Sequence, residues 1–142
     1  MESNGRIAVL TCGLVLAATA SMNASAQQFQ SGARYDEKWL SETAANLNRS
    51  LPKEVDAETR WDRVTPGPGI GLTYSYTLIK QEAGKVDLEQ FNSAMQVLLR
   101  KAVCGRAGMR ELMKNGVKLA YVYRGNDGRF VSLLEVVDPR CG

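Results

Sequence analysis

The sequence predicts an α+β domain: a four-stranded, mainly antiparallel sheet made from two hairpins, with helices packed on one face and one disulfide. Three observations carry this expectation. Two stretches, residues 59–79 and 117–137, alternate in polarity with the two-residue period of a strand, and each is interrupted by turn-forming residues. Before and between them, apolar residues recur at helical spacing. Two cysteines, Cys104 and Cys141, remain once a leader-like N-terminus is set aside.

The first 26 residues have the build of a secretory signal peptide. Arg6 supplies the basic start, Ile7 to Ala18 the apolar run, and Ala24-Ser25-Ala26 the small-residue cleavage site. The run is shorter than a membrane-spanning helix needs, and no twin-arginine pair precedes it. Cys12 lies inside the run instead of at its end, which argues against lipidation. The expected organisation is a signal peptide at 1–26, a disordered Gln- and Ser-rich segment at 27–34 and a single α+β domain at 35–142. Such a chain is expected in the periplasm, with secretion as the alternative, and without stable membrane insertion after cleavage.

A helix is expected over residues 35–47, with Trp39, Leu40, Thr43, Ala44 and Leu47 on one face and Asp36, Glu37 and Glu42 towards its N-terminus. Residues 48–56 read as a connector around Leu51-Pro52. Asn48-Arg49-Ser50 matches a glycosylation acceptor, a match attributed to chance. Residues 59–65 form a strand with Trp61 as its large buried residue, and the charges of Arg60, Asp62 and Arg63 place it at a sheet edge. Pro66-Gly67-Pro68-Gly69 makes the turn. The returning strand puts Ile70, Leu72, Tyr74, Tyr76 and Leu78 on an apolar face and Thr73, Ser75 and Thr77 on a hydroxyl-rich one.

A polar loop at 81–85 leads to the best-marked helix, residues 88–103. Asp87 is its N-cap, Gln90 stands three residues on, and Val86 and Phe91 are spaced as a hydrophobic staple. Leu88, Phe91, Met95, Leu98, Leu99 and Ala102 form its apolar face. A shorter helix at 106–114 contributes Met109, Leu112 and Met113 as core packing, and Asn115-Gly116 stops it. The second hairpin pairs residues 117–124 with 130–137 across Asn126-Asp127-Gly128. Residues 130–137, apolar on both faces except at Ser132 and Glu135, read as a central strand. Leu72-Thr-Tyr-Ser-Tyr76 is echoed by Leu119-Ala-Tyr-Val-Tyr123. The plain reading is two ordinary strands of one sheet. The sharper reading is a quasi-symmetric sheet whose tyrosines contact a partner.

The chemistry is bounded by absences. The chain holds no histidine, which removes Ser-His-Asp and Cys-His catalysis and most zinc sites. Cys104 and Cys141 are expected to be bonded, tying the middle of the domain to its end, and are not a C-x-x-C pair. Gly67-Pro68-Gly69-Ile70-Gly71 precedes a strand, where a dinucleotide-binding loop needs a helix. Glu54, Asp56, Glu58 and Asp62 cluster in sequence and read as a solvated acidic connector, although a glycosidase would also need two carboxyls. The chain is therefore expected not to be an enzyme, to need no cofactor and to hold no metal.

Charge is unevenly spread. Residues 98–142 carry nine Lys/Arg against four Asp/Glu, whereas residues 27–97 carry eight against ten. This segregation fits an anionic partner, either an acidic protein such as a toxin or envelope protein or an anionic envelope polymer, and the export signal disfavours nucleic acid. The candidate contact residues are Arg124, Asn126, Asp127 and Arg129 at the second hairpin's tip, as a clamp for a carboxylate or phosphate, with Tyr121 and Tyr123 beside them. The expected function is a small exported binding protein, in its most concrete form an inhibitor or immunity-type protein acting on an envelope partner. An accessory component of an envelope or secretion assembly is the alternative, and a cell-wall-acting hydrolase stands third.

Overall fold

A computed structural model describes residues 35–137 and residue 141 of the chain. The expected signal peptide, the segment at 27–34 and most of the tail after Val137 lie outside the described residues. The element order is α1 (Glu37–Asn48), β1 (Lys53–Glu54), β2 (Thr59–Pro66), β3 (Gly71–Leu78), a 3-10 turn (Ala83–Lys85), α2 (Leu88–Cys104), α3 (Ala107–Lys114), β4 (Lys118–Gly125) and β5 (Phe130–Val136).

Local sequence chemistry sets most of these boundaries. Asp36 caps α1 by accepting from the Trp39 backbone N–H at 2.8 Å, and Asp87 caps α2 by accepting from that of Gln90 at 3.0 Å. The β2–β3 turn uses Gly67 and Gly69 at φ of 85° and 63°, a region closed to most side chains. At the second hairpin Gly125 answers a different demand. A Cβ there would lie 2.3 Å from the Ala83 nitrogen and 2.6 Å from Asp127 Oδ1, so the turn and the 3-10 segment meet over a residue with no side chain.

The sheet corrects the expected one in three ways. It has five strands in the order β1-β2-β3-β4-β5, not four. The added strand, β1, is only two residues long and lies inside the stretch read as a connector. The two hairpins join through β3 and β4, which run parallel, so the sheet is mixed although its other pairings are antiparallel. A parallel neighbour requires a crossover, and α2 and α3 supply it. The third correction concerns the ends. β5, read as central, is an edge strand, with Phe130 and Leu133 both more than half exposed. β2, read as the edge, lies one place inside it.

The echo between the two tyrosine strands turns out to be a register. Leu72 pairs with Leu119, Tyr74 with Tyr121 and Tyr76 with Tyr123. These residues share the sheet face that meets the helices. Leu40 and Ala44 of α1, Leu99 and Val103 of α2, and Leu112 and Met113 of α3 close the core above Val64, Leu72, Leu119 and Leu134. Leu98, expected on the buried face of α2, is 57% exposed. The Cys104–Cys141 disulfide forms as expected, over a sequence separation of 37. No helix of the described residues is long and apolar enough to cross a membrane.

Candidate functional site

The helices do not cover the sheet evenly. α1 packs mainly on β2 and α2 mainly on β5, so the two helices part over the middle of the sheet. In that gap lies a groove of about 340 Å³. Its floor is Trp61 of β2, Tyr74 and Tyr76 of β3 and Tyr121 of β4. One wall is Leu99, Ala102 and Val103 of α2, with Arg106 and Met109 at the turn into α3. The opposite wall is Leu47 at the end of α1, with Lys53 and Val55 beyond it.

The floor is a stacked aromatic row built by register. Tyr74 lies 5.1 Å from Tyr121 at 13°, and Tyr76 lies 5.2 Å from Tyr123 at 17°. Trp61 closes the row against Tyr74 and Tyr76 at 5.8 and 6.2 Å. Phe91 of α2 meets Tyr123 edge-on at 5.1 Å. Offset and edge contacts of this kind fix ring orientation and add to area burial. A second hollow of about 230 Å³ continues the theme under Phe91, Met95, Leu78 and Tyr123, with Glu58 and Lys80 at its border.

Burial sets the electrostatics of the floor. It pushes the Tyr74 and Tyr76 hydroxyls up to about 12, with the Tyr74 charge adding to the rise at Tyr76 and Arg106 opposing it at both. Tyr121 and Tyr123 are raised further, again mainly by burial. The phenols are therefore neutral throughout the physiological range and act through ring surface and O–H. Lys53 Nζ lies 5.5 Å from the Trp61 ring centroid, within cation–π range. The Trp61 indole N–H is buried and has no acceptor among the described residues.

The residues singled out from the sequence fall into two places. Tyr121 and Tyr123 are 4% and 3% exposed on the helix-facing side and belong to the aromatic row. Arg124, Asn126, Asp127 and Arg129 are exposed at the tip of the second hairpin. The structure thus does not bring the six residues onto one surface. Much of the tip is engaged locally. Arg124 donates to the Gly128 carbonyl, the Asn126 backbone N–H donates to the Gln81 carbonyl at 2.8 Å, and Asp127 accepts from Arg129 and Ala83. The acidic cluster is likewise tied up in part. Asp62 accepts from Arg60 at 2.6 Å and from Thr77 at 2.7 Å, and Asp56 accepts from the Glu58 backbone N–H at 2.8 Å. No group of acidic or thiol side chains among the described residues could hold a metal ion.

Sequence reading missed the groove as a unit, together with Lys53, Val55 and Arg106. The tyrosine echo was the one signal that could have found the floor. Nothing in the sequence indicates that α1 and α2 part above it.

No protein-family model matches the chain, and no curated protein matches it by sequence. Solved structures do match its fold. A Pseudomonas aeruginosa protein assigned as secreted aligns at a TM-score of 0.61 and 19% identity, over 75% of this chain and 92% of that one. The pilotin of the Vibrio vulnificus type 2 secretion system aligns at 0.59 and 17%, over 75% and 91%. The type II secretion system pilotin of Vibrio cholerae aligns at 0.54 and 18%, over 70% and 86%. At these identities the likeness is one of fold.

Proposed function

We propose that the chain is an exported, non-enzymatic binding protein that serves as an accessory component of an envelope or secretion assembly, taking an apolar segment of a protein partner into the groove between α1 and α2. The observation that carries this reading is the groove itself. An aromatic floor locked by strand register, lined by apolar helix walls and left open, is the shape into which an amphipathic segment lays its apolar face. Leu98 of α2 is 57% exposed and Val55 47% exposed, apolar residues on α2 and on the opposite wall. Isolated exposed apolar residues are ordinary, but Val55 lines the groove and Leu98 stands one helical turn before Ala102, which also lines it.

Three further observations support the reading. The fold is shared with two pilotins of type II secretion systems and with a protein assigned as secreted. The disulfide fits an oxidising compartment, in keeping with the leader expected at residues 1–26. The described residues hold no histidine and offer no metal-binding group, which narrows the routes to catalysis. Nothing among the comparisons speaks for an inhibitor or immunity protein.

Capture from the envelope of the source cells with the wild-type chain and with Ala102→Trp tests the proposal. Ala102 is exposed on the groove wall, so the larger ring fills the groove without entering the core. A resident envelope protein retained by the wild type and lost with Ala102→Trp is the expected result. Equal retention by both would remove the groove from the function.

A further inference from the structure

The groove's polar lining has a bias that its apolar character does not require. Two of its lining residues are cations, Lys53 and Arg106, and none is acidic. Arg106 precedes the first turn of α3, is exposed, and forms no ion pair among the described residues. It lines the same groove as Tyr74, Tyr76 and Tyr121, and its positive charge works against the rise that burial causes at all three phenols. Trp61 adds a buried N–H without an acceptor, and Lys53 sits over its ring. Arginine, lysine and indole offer donors only, and the neutral phenols donate as well. A groove with this lining is complementary to an acceptor, and best to an anionic one.

Resting on the docking function proposed above, we infer that the partner segment carries a carboxylate among its apolar residues, seated against Arg106 at the aromatic floor. Arg106 then selects the partner and fixes its register, while the aromatic row supplies most of the buried surface. A guanidinium holds a carboxylate through paired N–H donors, so the contact sets orientation as well as charge. The second hollow is bordered by Glu58 and Lys80 and lacks this bias, so the carboxylate belongs at the Arg106 end.

Selection from a displayed library of random twelve-residue peptides, run in parallel on the purified wild type, Arg106→Glu and Ala102→Trp, tests the inference. The wild type is expected to select apolar peptides with one acidic residue at a fixed offset, and Arg106→Glu to select a basic residue there. Binding of a selected peptide should fall about tenfold or more when its acid is changed to the amide. Arg106→Gln, which keeps the side chain's length, should weaken the acidic preference without reversing it. Apolar peptides with no charge preference, or with one that Arg106→Glu leaves unchanged, would overturn the inference and leave the docking groove standing. Selection unaffected by Ala102→Trp would overturn both. Arg106 is exposed and outside the core, so its variants should fold as the wild type does, as circular dichroism would check.

Discussion

At the scale of single residues, the aromatic floor makes the fold sensitive to alkali. Tyr74 and Tyr76 hold their protons to about 12 in the folded chain against 10.0 for an ordinary phenol, because burial disfavours the charged form. The folded state therefore binds more protons than the unfolded one between those values. The stabilisation is complete below pH 10 and is lost as pH rises through about 12. Urea unfolding should show stability level to about pH 9.5 and falling steeply by about pH 11.5. Stability unchanged across that window would mean that the rings are solvated. Asn48 makes a second residue-scale case. Its side-chain amide donates to the Val64 carbonyl and accepts from the Val64 N–H, each at 2.8 Å, and so pins α1 to β2. Asn48→Ala should cost about 1–3 kcal/mol in chemical denaturation. The same two bonds occupy the amide that the Asn48-Arg49-Ser50 acceptor pattern would need free.

At the scale of elements, the crossover from β3 to β4 is held at two points. The disulfide closes a separation of 37 residues between the end of α2 and the chain's tail. In the chain-entropy description a loop of that length stabilises by about 4 kcal/mol. Replacing both cysteines by Ala should lower the denaturation midpoint accordingly, and an unchanged midpoint would mean that the tail is already fixed without the bond. At the second point, Gly125→Ala would drive a Cβ into the Ala83 backbone, with contacts of 2.3 and 3.0 Å. Because backbone must move, the expected loss is about 2 kcal/mol or more, read by thermal unfolding.

The elements also show what the sequence made legible and why it stopped there. Periodicity and capping residues located α1, α2, α3 and four of the strands to within a residue or two, because those signals are local. β1 escaped because Lys53-Glu54 is too short to show a period. Its pairing depends on the β2 backbone opposite it, Trp61 and Arg60. The misplacement of β5 has a related cause. Two apolar faces fit a central strand, but here α2 covers one face, and Leu133 and Phe130 remain outside. The parallel join of the hairpins was written in the Leu-x-Tyr-x-Tyr echo, yet a repeat does not say whether its copies lie side by side. Of the candidate site, the tyrosines were readable and the groove was not, since it depends on where α1 and α2 part.

For the whole molecule, the proposed function makes the aromatic-floored groove the surface on which a protein partner docks in the cell envelope. A rival surface is available at the second hairpin, where Arg124 and Arg129 are exposed and Phe130 is 58% exposed. The two surfaces separate cleanly by experiment. Reversing the charge of Arg124 and Arg129 together should leave partner binding within about threefold of wild type, because rim charges away from a buried contact change affinity little. The most direct measurement is site-specific photocrosslinking in the source cells, with a photoreactive residue placed in turn at Val55 and Leu98 beside the groove and at Arg124 and Phe130 on the hairpin. The expected result is one envelope protein crosslinked from both groove positions and from neither hairpin position. The same protein crosslinked only from Arg124 and Phe130 would contradict the account and return the binding site to the hairpin tip.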